Sequence, residues 1–345
     1  MPDAPGDLPG ERPGDLPGER PGDLPGELIA GIRAGDRRSL ARAITLVEST
    51  RADHRADAAA VLDAVLPSTG GSVRLGISGS PGVGKSTFIE AFGLHLVDQG
   101  RKVAVLAVDP SSSRTGGSIL GDKTRMAELS RHPDAFIRPS PGGTQLGGVA
   151  RRTREAMLLC EAFGFDVVIV ETIGVGQSEV AVADMVDLFL LLVAPGGGDE
   201  LQGIKRGIME LADLVVVNKA DGDLAPAAGR TVADYSNALH LVRPRWTAWS
   251  ATATKCSALE QTGIAEVWQA VESFRSAVTA SGEAAEHRSR QAVAWMWSEV
   301  QDTLVDRLRA DPGVTALVAG LEADVAAGRV PPTTAARQLL DAFTD

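Results

Sequence analysis

Gly79-Ser80-Pro81-Gly82-Val83-Gly84-Lys85-Ser86 fits the pattern GxxxxGK[ST] at every required position. It stands where that pattern has chemical meaning, directly after the apolar run 73–77 and opening the helical segment 86–97. Glycines let successive backbone N–H groups turn inward on phosphate oxygens, Lys85 reaches the β and γ oxygens, and Ser86 offers a hydroxyl to Mg²⁺. These eight residues predict a nucleoside-triphosphate site.

A second group selects the base. Asn218-Lys219-Ala220-Asp221 follows the apolar run 214–217. A carboxylate at the fourth position accepts two N–H donors from the guanine edge, which adenine cannot supply, while the lysine stem lines the ring. A buried polar group left unpaired by the wrong ligand discriminates strongly. Two Ser-Ala pairs, Ser250-Ala251 and Ser257-Ala258, compete to support the base from below. Ser257-Ala258 is preferred, because Gly263-Ile264 and a new helix follow it at a suitable distance. The expected ligand is GTP, and the product GDP.

Asp109 and Glu171 each end an apolar run, 103–108 and 167–170. Strand C-termini in a parallel sheet face the ligand crevice, and Mg²⁺ prefers oxygen ligands. Together with the phosphate loop, Ser86, Asp109 and Glu171 are therefore the expected metal side of the site, although either acid alone reads better as a turn or helix cap.

The elements that must position these residues alternate. Further apolar runs at 188–193 and near 251–256 join those already named, with helical segments such as 86–97 and 148–163 between them. Short runs apolar on both faces are strands of a buried parallel sheet, so the expected class is α/β, a doubly wound, mostly parallel sheet. Helical spacing before it (28–70) and after it (281–345) predicts two helical appendages around a central domain at 71–280. Gly35-Asp36, Asp311-Pro312-Gly313 and Pro331-Pro332 interrupt those helices. The first 27 residues repeat GDLPGERP with a period of eight and read as a disordered tail.

Charge and composition bound the partners. Acidic residues number 45 against 34 basic ones, a net charge of −11, which argues against nucleic acid or an anionic membrane. No apolar stretch reaches the ~20 residues of a membrane helix, and no basic-then-apolar leader opens the chain. Cys160 and Cys256 lie far apart without histidines at metal-ligand spacing, as buried thiols in a reducing compartment would. The expected location is cytoplasmic.

The segments GISGSPGVGKST, VLAVDPSSSRTGGSILGDKTRM, VIVETIGVGQSE, GDELQGIKRGIMELADLVVVNKAD and CSALEQTGIAEVW occur in this order. Together they resemble the MeaB/ArgK/MMAA family of P-loop GTPases, from about Leu75 to Trp268. The resemblance implies a GTPase chaperone of an adenosylcobalamin-dependent acyl-CoA mutase, above all methylmalonyl-CoA mutase. It also implies a homodimer built partly through a C-terminal helical dimerisation arm. By position it places Thr87 beside the phosphate loop, Asp109 and Asp122 near Mg²⁺ or the attacking water, and Gly174 as the glycine that senses the γ-phosphate. Glu171 takes the place of the usual metal-side aspartate, so Lys85, Asp109, Asp122 and Glu171 form the expected catalytic set. The glycine-rich stretch 196–205 corresponds to a mobile element facing the mutase. No glutamine follows Gly174, so hydrolysis by the free chain is expected to be slow. Competing readings are a small-molecule kinase, which would favour ATP, and a metallochaperone, which would carry a His- or Cys-rich tract.

Overall fold

The computed structural model describes residues 24–49, 51–108, 126–139, 146–172, 178–196 and 206–344. Among them, seven strands form one parallel sheet: β1 (Val73–Gly79), β2 (Val103–Val108), β3 (Ala135–Pro139), β4 (Val167–Thr172), β5 (Leu188–Val193), β6 (Leu214–Val217) and β7 (Thr252–Lys255). Their order is β3-β2-β4-β1-β5-β6-β7, so the chain winds outward in both directions from β1. Every neighbouring pair is parallel. β1, β4, β5 and β6 are buried along their whole length, which is why their sequences are apolar on both faces.

β3 was not among the strands expected from sequence. Its run Ala-Phe-Ile-Arg-Pro is half-exposed at the sheet edge and ends in a proline, both of which weaken the apolar signal. Arg37 blunts this edge by donating to the carbonyls of Pro133, at 3.0 Å, and Ala135.

The helices, in chain order, cover the sheet and extend beyond it. α1 (Leu24–Arg33), α2 (Arg37–Glu48) and α3 (Ala52–Val65) precede β1, and α4 (Lys85–Asp98) and α5 (Leu146–Phe163) follow β1 and β3. Short α6 (Ser178–Ala183) and α7 (Arg206–Met209) flank β5, and α8 (Ala225–Leu239) and α9 (Ile264–Ala280) flank β7. α10 (Glu283–Ala310), α11 (Pro312–Ala326) and α12 (Pro332–Thr344) complete the chain.

Alternation along the strands sorts the buried side chains between the two faces of the sheet. Val103, Val105, Leu75, Ile77 and Ile169 face α4 and α9. Ala104, Leu106, Val168 and Val170 face α5, α6 and the N-terminal helices. The first helix begins at Leu24, inside the segment whose composition predicts a tail to residue 27. Pro25 and Gly26 fall in the first turn, where a proline's missing N–H costs nothing, and Leu28 and Ile32 are each 1% exposed. Asp36 then caps α2, accepting from the N–H groups of Arg38 and Ser39.

Candidate nucleotide and guanine site

β1 ends in Gly79 and α4 begins at Lys85, so 80–84 is the only backbone between a buried strand and a helix N-terminus. Gly82 and Gly84 hold φ of 82° and 92°, in the left-handed region that suits glycine. A Cβ on Gly79 would stand 2.5 Å from the Leu192 carbonyl oxygen, and one on Gly84 2.8 Å from Asn218 Nδ2. Gly84 is the N-cap and brings no side-chain acceptor, which leaves first-turn N–H groups of α4 open to an anion. Pro81, Gly82 and Thr87 are exposed, Ser80, Gly84, Lys85 and Ser86 are half-buried, and Val83 is buried.

Lys85 Nζ donates to the Gly79 carbonyl at 2.7 Å, curled over the loop it anchors. Burial lowers its pKa, and the carboxylates of Glu171 and Glu179 oppose that shift. Glu171 stands one residue before the end of β4, paired in register with Ile77 of β1 and Ala107 of β2, and is 3% exposed. It lies on the sheet face that α4 covers, as the alternation Val167, Ile169, Glu171 requires. Thr172, on the opposite face, donates to the Ser78 hydroxyl at 2.9 Å and ties the end of β4 to β1.

The guanine motif is bonded directly to this loop. Asn218 Nδ2 donates to the Val83 carbonyl at 3.0 Å, and Lys219 Nζ to the Gly82 carbonyl at 2.7 Å. Asn218 Oδ1 accepts the Ala258 N–H at 3.1 Å, and the Ser257 hydroxyl donates to Asp221 at 2.6 Å. Of the two Ser-Ala pairs, Ser257-Ala258 therefore meets the NKAD residues, whereas Ser250 and Ala251 line a cavity beside Trp246 and Trp249. Gly263, at φ 74°, ends the Ser257–Thr262 turn, and a Cβ there would lie 2.5 Å from the Lys255 carbonyl.

Asp109, Asp122, Gly174 and most of 196–205 lie outside the described residues. Two residues without an assigned role join the constellation. Glu179 is fully buried (0% exposed) in the first turn of α6. An acid there reads from sequence as ordinary first-turn helix chemistry, which concealed it. The buried thiol of Cys256 lies 3.7 Å from Asn218 Oδ1, and burial pushes it up to about 12.

Residues 40–313 match the family described as methylmalonyl-CoA mutase-associated GTPase MeaB. The chain belongs to that family. It is 52% identical to GTPase ArgK of Escherichia coli (strain K12) over 283 residues, 82% of this chain and 86% of that one. It is 49% identical to the mitochondrial methylmalonic aciduria type A homolog of Mus musculus over 329 residues, 92% and 79% of the two chains. A crystal structure described as an LAO/AO transport system kinase superposes with a TM-score of 0.72 at 42% identity, covering 93% of this chain and 98% of that one. The MeaB match spans every residue of the phosphate loop, the NKAD motif and the Ser257-Ala258 turn, and reaches the start of α11.

Proposed function

We propose that this GTPase hydrolyses GTP as a nucleotide-gated chaperone of an adenosylcobalamin-dependent acyl-CoA mutase, with methylmalonyl-CoA mutase as client. The observation that carries the nucleotide half is the hydrogen bonding of Asn218 and Lys219 to the carbonyls of Val83 and Gly82, which makes base pocket and phosphate cradle one site. The family description carries the client half.

The assigned roles follow from that geometry. Asp221, oriented by the Ser257 hydroxyl, accepts the two N–H donors of guanine, and Ala258 backs the base. Open N–H groups of the loop and α4 hold the phosphates, and Lys85 exchanges its carbonyl partners for phosphate oxygens when nucleotide enters. A Ser hydroxyl and a carboxylate form a hard-oxygen donor set suited to Mg²⁺, so Ser86 and Glu171, with Asp109, would hold that ion, which supplies charge neutralisation at the phosphates. Glu171 is longer than the aspartate usual at this place and reaches further from the strand end. No glutamine follows Gly174 to orient water, so turnover by the chain alone is slow and a partner that completes the site accelerates it.

The C-terminal arm suits a homodimer. Along α10, Val293, Met296, Trp297, Val300 and Leu304 recur at helical spacing and are 38–58% exposed. A stripe of this kind on one helix face is an unburied packing surface. Among the described residues no helix is long and apolar enough to cross a membrane, and the reading places the protein in the cytoplasm.

The deciding experiment measures GTP hydrolysis at fixed Mg²⁺ with and without a purified acyl-CoA mutase, using ATP and an unrelated protein as controls. A slow GTP-specific rate that rises several-fold only with the mutase is expected. A rate indifferent to every mutase tried removes the chaperone assignment. Preference for ATP, with phosphate appearing on an added small-molecule acceptor, would instead favour a kinase, the activity in the description of the 42%-identical structure.

A further inference from the structure

The C-terminal arm is tied to the body in two different ways along its length. Near its root the ties are dense and mostly part-buried. Arg288 donates to both carboxylate oxygens of Asp187, at 2.8 and 2.6 Å, and to the Ser72 carbonyl at 2.7 Å. Gln291, 5% exposed, donates to the Val186 carbonyl at 2.9 Å. Trp295 packs on the core of α1–α3 and α5, with the guanidinium groups of Arg74 and Arg154 over its ring at 5.7 and 5.5 Å. It is also the last residue of the chain to join a described core cluster.

Past Trp295 the attachment changes character. Among the described residues, the hydrogen bonds and ion pairs from here to the body come from two residue pairs, Arg151–Glu299 at 3.1 Å and Arg55–Asp306 at 3.0 Å. Arg55, Asp306 and Glu299 have side chains 44%, 49% and 45% exposed, and Arg151 is 19% exposed. Arg55–Asp306, exposed on both sides, holds weakly and is screened by salt, and Arg151–Glu299 is open to solvent on its Glu299 side. Met296, Trp297 and Leu304 are each about half exposed to solvent. Distal α10 is instead continuous with α11 and α12, which pack against each other around Val314 and Ala335.

We propose that α10 carries a hinge between Trp295 and Glu299, and that Arg151–Glu299 and Arg55–Asp306 form a releasable latch holding the distal arm against the body. The latch has a route to the nucleotide. Arg151 belongs to α5, whose far end carries Glu161, bonded to Arg74 of β1 at 2.8 and 2.9 Å. α5 leads directly into β4, which ends at Glu171 and Thr172.

Glu155 makes the latch sensitive to pH. It lies one turn from Arg151, 3.9 Å away, and competes with Glu299 for that guanidinium. Arg151, Arg152 and Arg154 on its own helix and Glu299 on α10 bear on it, while Asp302 bears on Arg154. Burial pushes its carboxyl up to about 7. A lifted arm removes the Glu299 carboxylate that helps to raise it, so Glu155 ionises at lower pH than in the docked state. The docked arm thus binds the proton more tightly, so docking is strongest at low pH and weakens as pH climbs to about 7.

Paired spin labels on the full-length chain test this. One label sits on α3 (Ala59→Cys) and the other on distal α10 (Arg309→Cys), while a root control pairs Ala59→Cys with Val293→Cys. The native Cys160 and Cys256 are 0% and 2% exposed and do not compete for label. Labelled protein is diluted into unlabelled chain, so that only distances within one copy are read. The distal distribution is expected to widen about twofold between about 0.05 and about 0.5 M salt, with the root pair unchanged. It should also widen from about pH 5.5 to about pH 7.5, and Glu155→Gln should abolish that pH response. Arg151→Ala with Asp306→Asn should reproduce the wide distribution at low salt. A narrow distal distribution, indifferent to salt and to both latch substitutions, overturns the proposal.

Discussion

Lys85 and Asp221 are the side chains on which the nucleotide reading turns. Lys85 is half-buried, and its ammonium makes two carbonyl contacts, at 2.7 and 3.5 Å, beside the carboxylates of Glu171 and Glu179. Lys85→Ala is expected to weaken GTP by about 100-fold, or ~3 kcal/mol, and to end measurable hydrolysis. Unchanged turnover in that variant would remove the phosphate-loop assignment. Asp221→Asn converts one acceptor oxygen into a donor facing a guanine donor. Preference should swing toward xanthosine nucleotides by roughly 10³-fold, read by competition binding. Equal GTP affinity in wild type and variant would sink the base-reading role. Both residues were legible because their motifs are contiguous and the chemistry needs fixed residue types at fixed spacing. Ser250-Ala251 and Ser257-Ala258 lie at opposite ends of β7, and the sequence preferred the second pair on the Gly263-Ile264 and helix that follow it. The hydrogen bonds from Ser257 to Asp221 and from Ala258 to Asn218 bring that pair to the NKAD residues.

At the scale of elements, close backbone approach and buried charge produce the sharpest expectations. β1 and β5 run so close at Gly79 that an added methyl meets a carbonyl oxygen, which belongs to the sheet and cannot swing aside. Gly79→Ala should cost about 2 kcal/mol or more, measured by denaturant unfolding without nucleotide. Asp213, just before β6, accepts from the Phe189 N–H at 2.9 Å and from the Trp246 indole at 2.8 Å. Burial pushes its carboxyl up to about 6 from 3.8. The folded chain then binds that proton more tightly than the unfolded chain, so this contribution to stability is complete below about pH 4 and lost as pH rises to about 6. The Asp213→Asn variant should show a flatter Tm profile than wild type across this window. A slope as steep as wild type's would show that other groups set it. The strands with both faces buried were readable as apolar runs. Edge strand β3 was not, because half-exposure mixes Arg138 and Pro139 into five residues.

For the whole molecule, the N-terminal boundary offers a two-part test. Removing 1–23 should leave Tm and GTP hydrolysis unchanged, because the Pro/Gly repeat has little apolar surface to bury. Removing 1–32 also deletes Leu28 and Ile32 and should cost several kcal/mol, at about 2–3 for each buried side chain. Equal losses from both truncations would mean that the repeat itself stabilises the fold. At the other end, the Asp311-Pro312-Gly313 and Pro331-Pro332 breaks fall where α11 and α12 begin, with the Asp311 carboxylate capping α11 through the N–H groups of Gly313 and Val314. Those helices were legible because proline and a capping acid act within one turn.

What the sequence determined by itself is local: the phosphate loop, the guanine motif, the buried strands and the helix boundaries. Each rests on residue types a few positions apart, whose backbone freedom, hydrogen-bonding groups or periodicity do not depend on distant partners. Tertiary structure decided what depends on long separations in the chain. It joined Asn218 to Val83 across 135 residues and brought Arg74 together with Glu161 in the interior across 87. It placed the acid of Glu179 close enough to Lys85 for their charges to interact. It also tied one continuous 28-residue helix to the body densely near Arg288 and Gln291, and through two ion pairs further along. Burial and charge pairing are properties of the assembled layers, and no window of α10 shorter than the fold itself distinguishes the two halves.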